Sequence, residues 1–296
     1  MYKKEQVSYH LMLLPAVVAV LLFNTVTLLG IFVAFQDFVP NKGWFGSKWV
    51  GLRNFRMFFG TPDAGIVMRN TLIMAIGKIV ITTLCAIVFA ILLNELRSVG
   101  SKRIVQTFVY LPHFVSWVIF ASIMRFILSG DGLINRLLML FFTNEPVLFL
   151  SKAGMFQPVM IITEVIKEFG YGSIIYLAAI ANINPNFYEA ATIDGANRPQ
   201  MIFFITIPCI LPTIILMATL SVGNVLNAGF DQIFNLYSPA VFSTGDIIDT
   251  YVYRMGLVQI NYGLGTAVGL FKSVISMTLI IFSYWTAARF ADYRIF

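Results

Sequence analysis

Long apolar runs separated by short polar segments set the pattern of this chain. Six runs are long enough to cross a hydrocarbon core as helices: residues 11–35, 71–93, 104–128, 155–180, 201–223 and 264–288. About 20 apolar residues suffice for one crossing, and lipid offers no partner for the open edge of a strand. The first run outlasts the about 7–15 apolar residues of a signal-peptide core, and no small-residue cleavage site follows it, so it is expected to stay as an anchor. The pattern predicts an all-α, polytopic membrane protein. Residues 1–10 form a short N-terminal segment and 36–70 the first external loop. A five-helix core covers 71–288, with loops at 184–200 and 225–263, and a tail spans 289–296.

Composition supports this reading. Hydrophobic residues make up 58% and charged residues 11%, against about 25% charged in a soluble domain. An ordinary soluble enzyme is excluded. The net charge of +6 is read as topology signals and interface anchors rather than as a nucleic-acid footprint. Cys85 and Cys209 lie inside apolar runs and read as small buried hydrophobes, and no Cys/His cluster suggests a metal.

Charge counting leaves the orientation nearly balanced. With an internal N-terminus, Lys3, Lys4, Arg97, Lys102, Arg103, Arg198, Arg289 and Arg294 lie inside; Lys42, Lys48, Arg53, Arg56, Arg136, Lys152 and Arg254 lie outside, with Arg69 at the edge. Without the first external loop the positive-inside rule favours cytoplasmic termini. Within that loop, Trp49 to Phe59 alternates aromatics with arginines. An interfacial helix with snorkelling arginines and a solvated loop both fit. The segment 225–263 is rich in Phe, Tyr and Ile, which argues against disorder; its Asp246, Asp249 and Arg254 are either partner contacts or solvated charges.

Residues 189–212, EAATIDGANRPQMIFFITIPCILP, interrupt the apolar pattern. Asn184-Pro185 is a helix-start signal, Asp194-Gly195 a turn signal, and Arg198-Pro199 opens the next element. A short helix, a sharp turn and a second helix are predicted. The chain contains no GxxxxGK[ST] phosphate loop; Gly77-Lys78 lacks the upstream glycine, so the chain is not expected to hydrolyse ATP.

Glu189, Ala190, Ala191, Asp194, Gly195, Ala196, Phe204, Ile205, Ile207, Pro208 and Pro212, placed after the fourth of six runs, resemble the EAA loop of binding-protein-dependent ABC importer permeases. The resemblance implies a type I importer core whose loop faces the cytoplasm, with two short helices meeting at Gly195. The first helix would dock in a cleft of a separate ATPase, Ala190, Ala191 and Ala196 allowing close approach and Glu189 offering a charge-assisted contact. It also implies two ATPase subunits holding ATP and Mg, no cofactor on this chain, and a second permease, usually a different chain. An extracellular or periplasmic substrate-binding protein and a place in a prokaryotic plasma membrane complete the expectation. The stretches WVGLRNF, Thr163 to Arg198 and Asp246 to Leu257 resemble the carbohydrate branch, most of all permeases for oligosaccharides and polysaccharide fragments. The chain would form half of a translocation path.

Ionisable residues inside the runs are Lys78, Arg125, Glu164, Lys167, Glu168 and Lys272. Each costs about 2.5–3.5 kcal/mol to insert, so each should face protein or water. Glu164, Lys167 and Glu168 share one helix face, which Tyr171 continues. By resemblance, substrate contacts come from this helix and from Ser221, Asn224 and Asn227. Two readings stay open. In one, these groups bind sugar hydroxyls while Tyr171 or Phe169 stacks on a ring. In the other, they form an internal salt-bridge set around Glu164, Lys167 and Glu168, screened by Lys272. Lys78 and Arg125 are expected to snorkel or pair near the membrane edge. His10 and His113 form no catalytic constellation, and His113 reads as structural. The rival function is an ion- or proton-coupled transporter that uses Glu164, Lys167 and Glu168 as a relay; it leaves the loop unexplained.

Overall fold

Apolar runs this long have one way to satisfy their backbone, and the chain takes it. The computed structural model describes residues 2–290 and the side chains of 7–285. The side chains of Lys3, Lys4, Arg289 and Arg294, which entered the charge count, and the end of the 289–296 tail lie outside the described residues.

Helix α1 (Tyr2–Val20) runs through a π turn (Leu21–Thr25) into a 3-10 stretch (Thr27–Phe35). Strands β1 (Gln36–Asp37) and β2 (Lys48–Trp49) pair antiparallel. Then come α2 (Arg53–Phe59), α3 (Pro62–Glu95), α4 (Val99–Phe114), α5 (Trp117–Ile127) and α6 (Leu133–Phe141). Next are α7 (Ala153–Ala181), α8 (Pro185–Ile193), α9 (Arg198–Met201) and α10 (Ile207–Gly223). The chain ends in α11 (Phe230–Leu236), α12 (Ile248–Tyr253) and α13 (Tyr262–Phe290). Among the described residues, four stretches are long and apolar enough to cross a membrane: Val7–Phe35, Pro62–Glu95, Arg198–Gly223 and Tyr262–Trp285. The 29 residues of α7 would reach about 43 Å, but three charges interrupt their apolar character.

The third run departs from expectation. Instead of one straight helix over 104–128, α4 and α5 meet at 103°. Val115 is extended, and the Ser116 side chain accepts from the Ile119 amide to start a new helix. A competing N-cap inside an apolar run breaks it. The 225–263 segment folds into α11, α12 and intervening turns. Its Asp246 is buried, accepting from Thr250 Oγ1 at 2.8 Å, so it is neither a solvated charge nor a partner contact.

Two units pack separately. The first joins residues 1–64 to 251–273. There Asn54, buried in α2, donates to the carbonyls of Ala34 (2.9 Å) and Gln36 (3.0 Å). Phe58 packs against Tyr251 and Phe271. The arginine-aromatic stretch is therefore a helix seated on a packed core, with Arg53 and Arg56 exposed.

The second unit holds residues 65–250 and 274–296. One apolar cluster gathers Met74, Phe156, Met160, Ile233 and Ile247; another gathers Ala90, Tyr176, Ile180 and Ile210. Helices α4 and α7 approach closely at Gly170, where an added Cβ would stand 2.6 Å from Val109 Cγ1. Side chains of Asn70 and Thr71 hold the entry to α12: Asn70 Nδ2 donates to Asp246 O at 3.1 Å and Thr71 Oγ1 accepts from Ile248 N at 2.9 Å.

Candidate functional site

The polar segment between α7 and α10 forms a capped, exposed elbow. Asn184 caps α8 through the Asn186 amide, with Pro185 at the first helical position. The helix ends in a paired-bond turn: Ala196 N donates to Ala191 O (2.9 Å) and Gly195 N to Thr192 O (3.1 Å). That geometry places the residue after the cap in the left-handed region, and Gly195 sits there at φ +81°. A reciprocal cap follows, in which Asn197 accepts from the Gln200 amide and Gln200 Oε1 from the Asn197 amide. Such caps satisfy the orphan amides of a helix start.

The elbow is tied to its neighbours by Tyr188 Oη and Thr206 Oγ1 at 2.9 Å, and by Arg198 and Glu95 at 3.7 Å. Glu189, Ala190, Asp194 and Gly195 are exposed; Ala191 and Ala196 are half-buried. Together with Gln200 and Phe204, four of these residues line a shallow hollow. Ile193, at the end of α8, is 87% exposed, and Phe187 in its first turn is exposed as well.

The second constellation lies along α7. Lys167, only 4% exposed, donates to His113 O at 2.7 Å and to Glu168 Oε1 at 3.1 Å, and stands 5.3 Å from the Trp117 ring. Glu168 Oε2 meets His113 Nδ1 at 2.6 Å, and the His113 ring stacks on Tyr171 at 3.9 Å. These groups gather at the break between α4 and α5. Lys167 thus fills a carbonyl that the broken helix leaves without an amide.

Glu164 pairs with Lys78 at 3.5 Å rather than with Lys167. Lys78 is buried, not at the membrane edge: it also donates to Ala228 O at 2.5 Å and to Gln232 Oε1. Gln232 in turn donates to Met160 O and Thr163 Oγ1, both at 2.7 Å. Phe169 packs edge-on against Phe89.

Ser221, Asn224 and Asn227 cluster at the end of α10. Ser221 Oγ bonds Met217 O, and Asn227 Nδ2 donates to Asn224 Oδ1 at 3.2 Å, both asparagines being exposed. Lys78 brings this turn and Glu164 together, since it binds both Glu164 and Ala228. Lys272 is half-buried in the first unit. Sequence reasoning missed Gln232, Thr163 and Trp117, and misplaced Lys78. A lone lysine in an apolar run signals a hidden partner; Glu164 was visible as a charge, but Gln232 lies 154 residues away and carries no sequence mark.

Comparison with known proteins fits this architecture. Residues 82–292 match the family described as binding-protein-dependent transport system inner membrane component. Protein LplB of Bacillus subtilis (strain 168) is 41% identical over 97% of this chain and 90% of its own length. The polygalacturonan/rhamnogalacturonan transport system permease protein YteP of the same organism is 39% identical over 99% of this chain and 91% of its own. A chain in the crystal structure of a bacterial ABC transporter involved in import of the acidic polysaccharide alginate superposes with TM-score 0.88 and 36% identity, covering 97% of both chains. A chain in the crystal structure of a bacterial alginate ABC transporter in complex with an alginate pentasaccharide-bound periplasmic protein gives 0.87, at 36% identity over 97% of this chain and 96% of that one. The chain belongs to the binding-protein-dependent transport system inner membrane components: it is a non-catalytic, membrane-spanning permease subunit of an ABC importer.

Proposed function

We propose that this chain forms half of the translocation path of an ATP-driven carbohydrate importer and takes its power through the elbow at Glu189–Ala196. The observation that carries the reading is the elbow itself: capped at both helix starts, turned at Gly195, and presenting Ile193 and Phe187 outward. A lever needs a defined shape and an accessible face, and the caps, the turn at Gly195 and the exposure of this segment support that reading. Glu189, Ala190, Ala191, Asp194, Gly195 and Ala196 seat in a cleft of a nucleotide-hydrolysing subunit. ATP and Mg reside on two such subunits, and this chain binds neither. A second permease completes the path, and an external substrate-binding protein delivers the cargo. The elbow and both termini face the cytoplasm of a prokaryotic cell.

The cargo is an oligosaccharide released from a polysaccharide. Relatives named for polygalacturonan, rhamnogalacturonan and alginate support this. Tyr171, Asn224 and Asn227 are exposed, and Glu164 and Glu168 about a quarter so. They offer hydroxyl, amide and carboxylate partners for sugar hydroxyls, with Ser221 contributing and Lys167 acting as internal support. The ion-coupled alternative loses its motive, because the charges that would relay protons are closed into pairs with Lys78, Lys167 and His113.

Proteoliposomes holding the whole assembly test this. Uptake should need ATP and survive collapse of ion gradients by ionophores. Uptake that stops with the gradient and ignores ATP would refute it.

A further inference from the structure

The segment that follows α10 has little to hold it in place locally. Among the described residues, backbone bonds from Asn224 N to Ser221 O (3.0 Å), Val225 N to Val222 O (3.1 Å) and Asn227 N to Asn224 O (2.8 Å) fold it into a turn. Gly229 then takes φ +86° to redirect the chain into α11. Such a turn is stiff only if something outside it fixes its far end.

Lys78 is that fixture. Its ammonium has three donors, and three acceptors from three elements surround it: Glu164 of α7, Ala228 O of the turn and Gln232 Oε1 of α11. Gln232, fully buried, spends its amide protons on Met160 O and Thr163 Oγ1 of α7. The redirecting residue is fitted to the same point: a Cβ on Gly229 would lie 2.9 Å from Lys78 Nζ. A charge so buried is costly unless every proton is matched, and here each is.

We propose that Lys78 is a positioning residue for the translocation path, pinning the turn that presents Asn224 and Asn227 against α3 and α7. The inference rests on the reading of that turn as part of the path. Lys78 itself stays out of reach of cargo and acts through Ala228. It explains why a lysine persists in an otherwise apolar stretch: a neutral side chain could not bridge a backbone carbonyl, an amide oxygen and a carboxylate at once.

The test uses the whole assembly in proteoliposomes, with Cys85→Ala and Cys209→Ser as background and a single reporter thiol. With Asn227→Cys as reporter, Lys78→Met should speed labelling by a membrane-impermeant maleimide at least tenfold. Lys78→Arg should stay within threefold of the parent. Labelling at Phe45→Cys, fully exposed in the first external loop, should not change, which shows that the rest of the fold stands. If Lys78→Met fails to insert, Lys78→Met/Glu164→Gln removes the orphaned carboxylate and gives the same readout. An unchanged rate at Asn227→Cys in either inserted variant overturns the pin. Without reporters, uptake of whichever digest the parent transports, polygalacturonan or alginate, should slow at least tenfold in Lys78→Met. Faster labelling with normal uptake would overturn the role in the path and, separately, the assignment of Asn224 and Asn227 to it.

Discussion

Replacing Gly195 with proline attacks the elbow without touching the membrane core. Proline fixes φ near −65°, whereas Gly195 sits at +81°. The substitution removes the amide that donates to Thr192 O, worth about 1 kcal/mol. Moving φ across zero also breaks the Ala196–Ala191 bond, about another 1 kcal/mol. Asp194, helical at φ −72°, is the wrong conformation before proline. Together these effects disfavour the native turn by roughly 2–3 kcal/mol, a factor on the order of 30–150. Nothing lies within 4 Å of a Cβ at this position, so the whole effect is conformational and the spans are left alone. Gly195→Asn, a residue that tolerates the left-handed region, is the matched control. In proteoliposomes of the whole assembly, Gly195→Pro should insert normally and hydrolyse ATP, but import at under a tenth of the parent rate. Gly195→Asn should keep most of its uptake. Equal uptake by the proline variant and the parent would refute the lever.

Other substitutions probe the scaffold behind the elbow. Gly170→Ala drives a methyl into Val109, and overpacking of this kind costs about 1–3 kcal/mol; the thermal midpoint of the detergent-purified protein should fall, and an unchanged midpoint would mean that α4 and α7 are not so close. Asn135 bridges Ser129 O, Val147 O and Val147 N, so Asn135→Ala should cost about 1–3 kcal/mol and make residues 129–152 more open to proteolysis. Lys167→Met strands the His113 carbonyl and leaves Glu168 with His113 Nδ1 alone. It should lower stability by about 2–3 kcal/mol, less than a fully buried pair would lose because Glu168 keeps some water. Adding Glu168→Gln should recover part of that loss in a thermal scan.

The helical membrane architecture was legible because lipid forces a long apolar run into a helix, and the elbow because capping is local chemistry. Asn184-Pro185 and Asp194-Gly195 each act on neighbours a few residues away; the Asn197–Gln200 cap, equally local, was not singled out from the sequence. The break at Val115 was less visible, since Ser116 had to outcompete an apolar run that reads as continuous. Partner choice among the charges was hidden for a different reason. Helix spacing correctly put Glu164, Lys167 and Glu168 on one face, yet it says nothing about which neighbour crosses over. Lys78 and His113 claimed those carboxylates from helices whose packing depends on Gly170 and Gln232. Asp246 looked like a loop charge for the same reason: only tertiary folding shows that Thr250 and the Asn70 side chain enclose it.

The central claim is that the elbow is the power connection. A photoreactive cross-linker placed at Ile193 in the intact, purified assembly tests it most directly. The account requires a cross-link to a nucleotide-hydrolysing subunit, at a yield that changes between nucleotide-free and ATP-bound states. A cross-link to the external binding protein, or to nothing but lipid in both states, would contradict it.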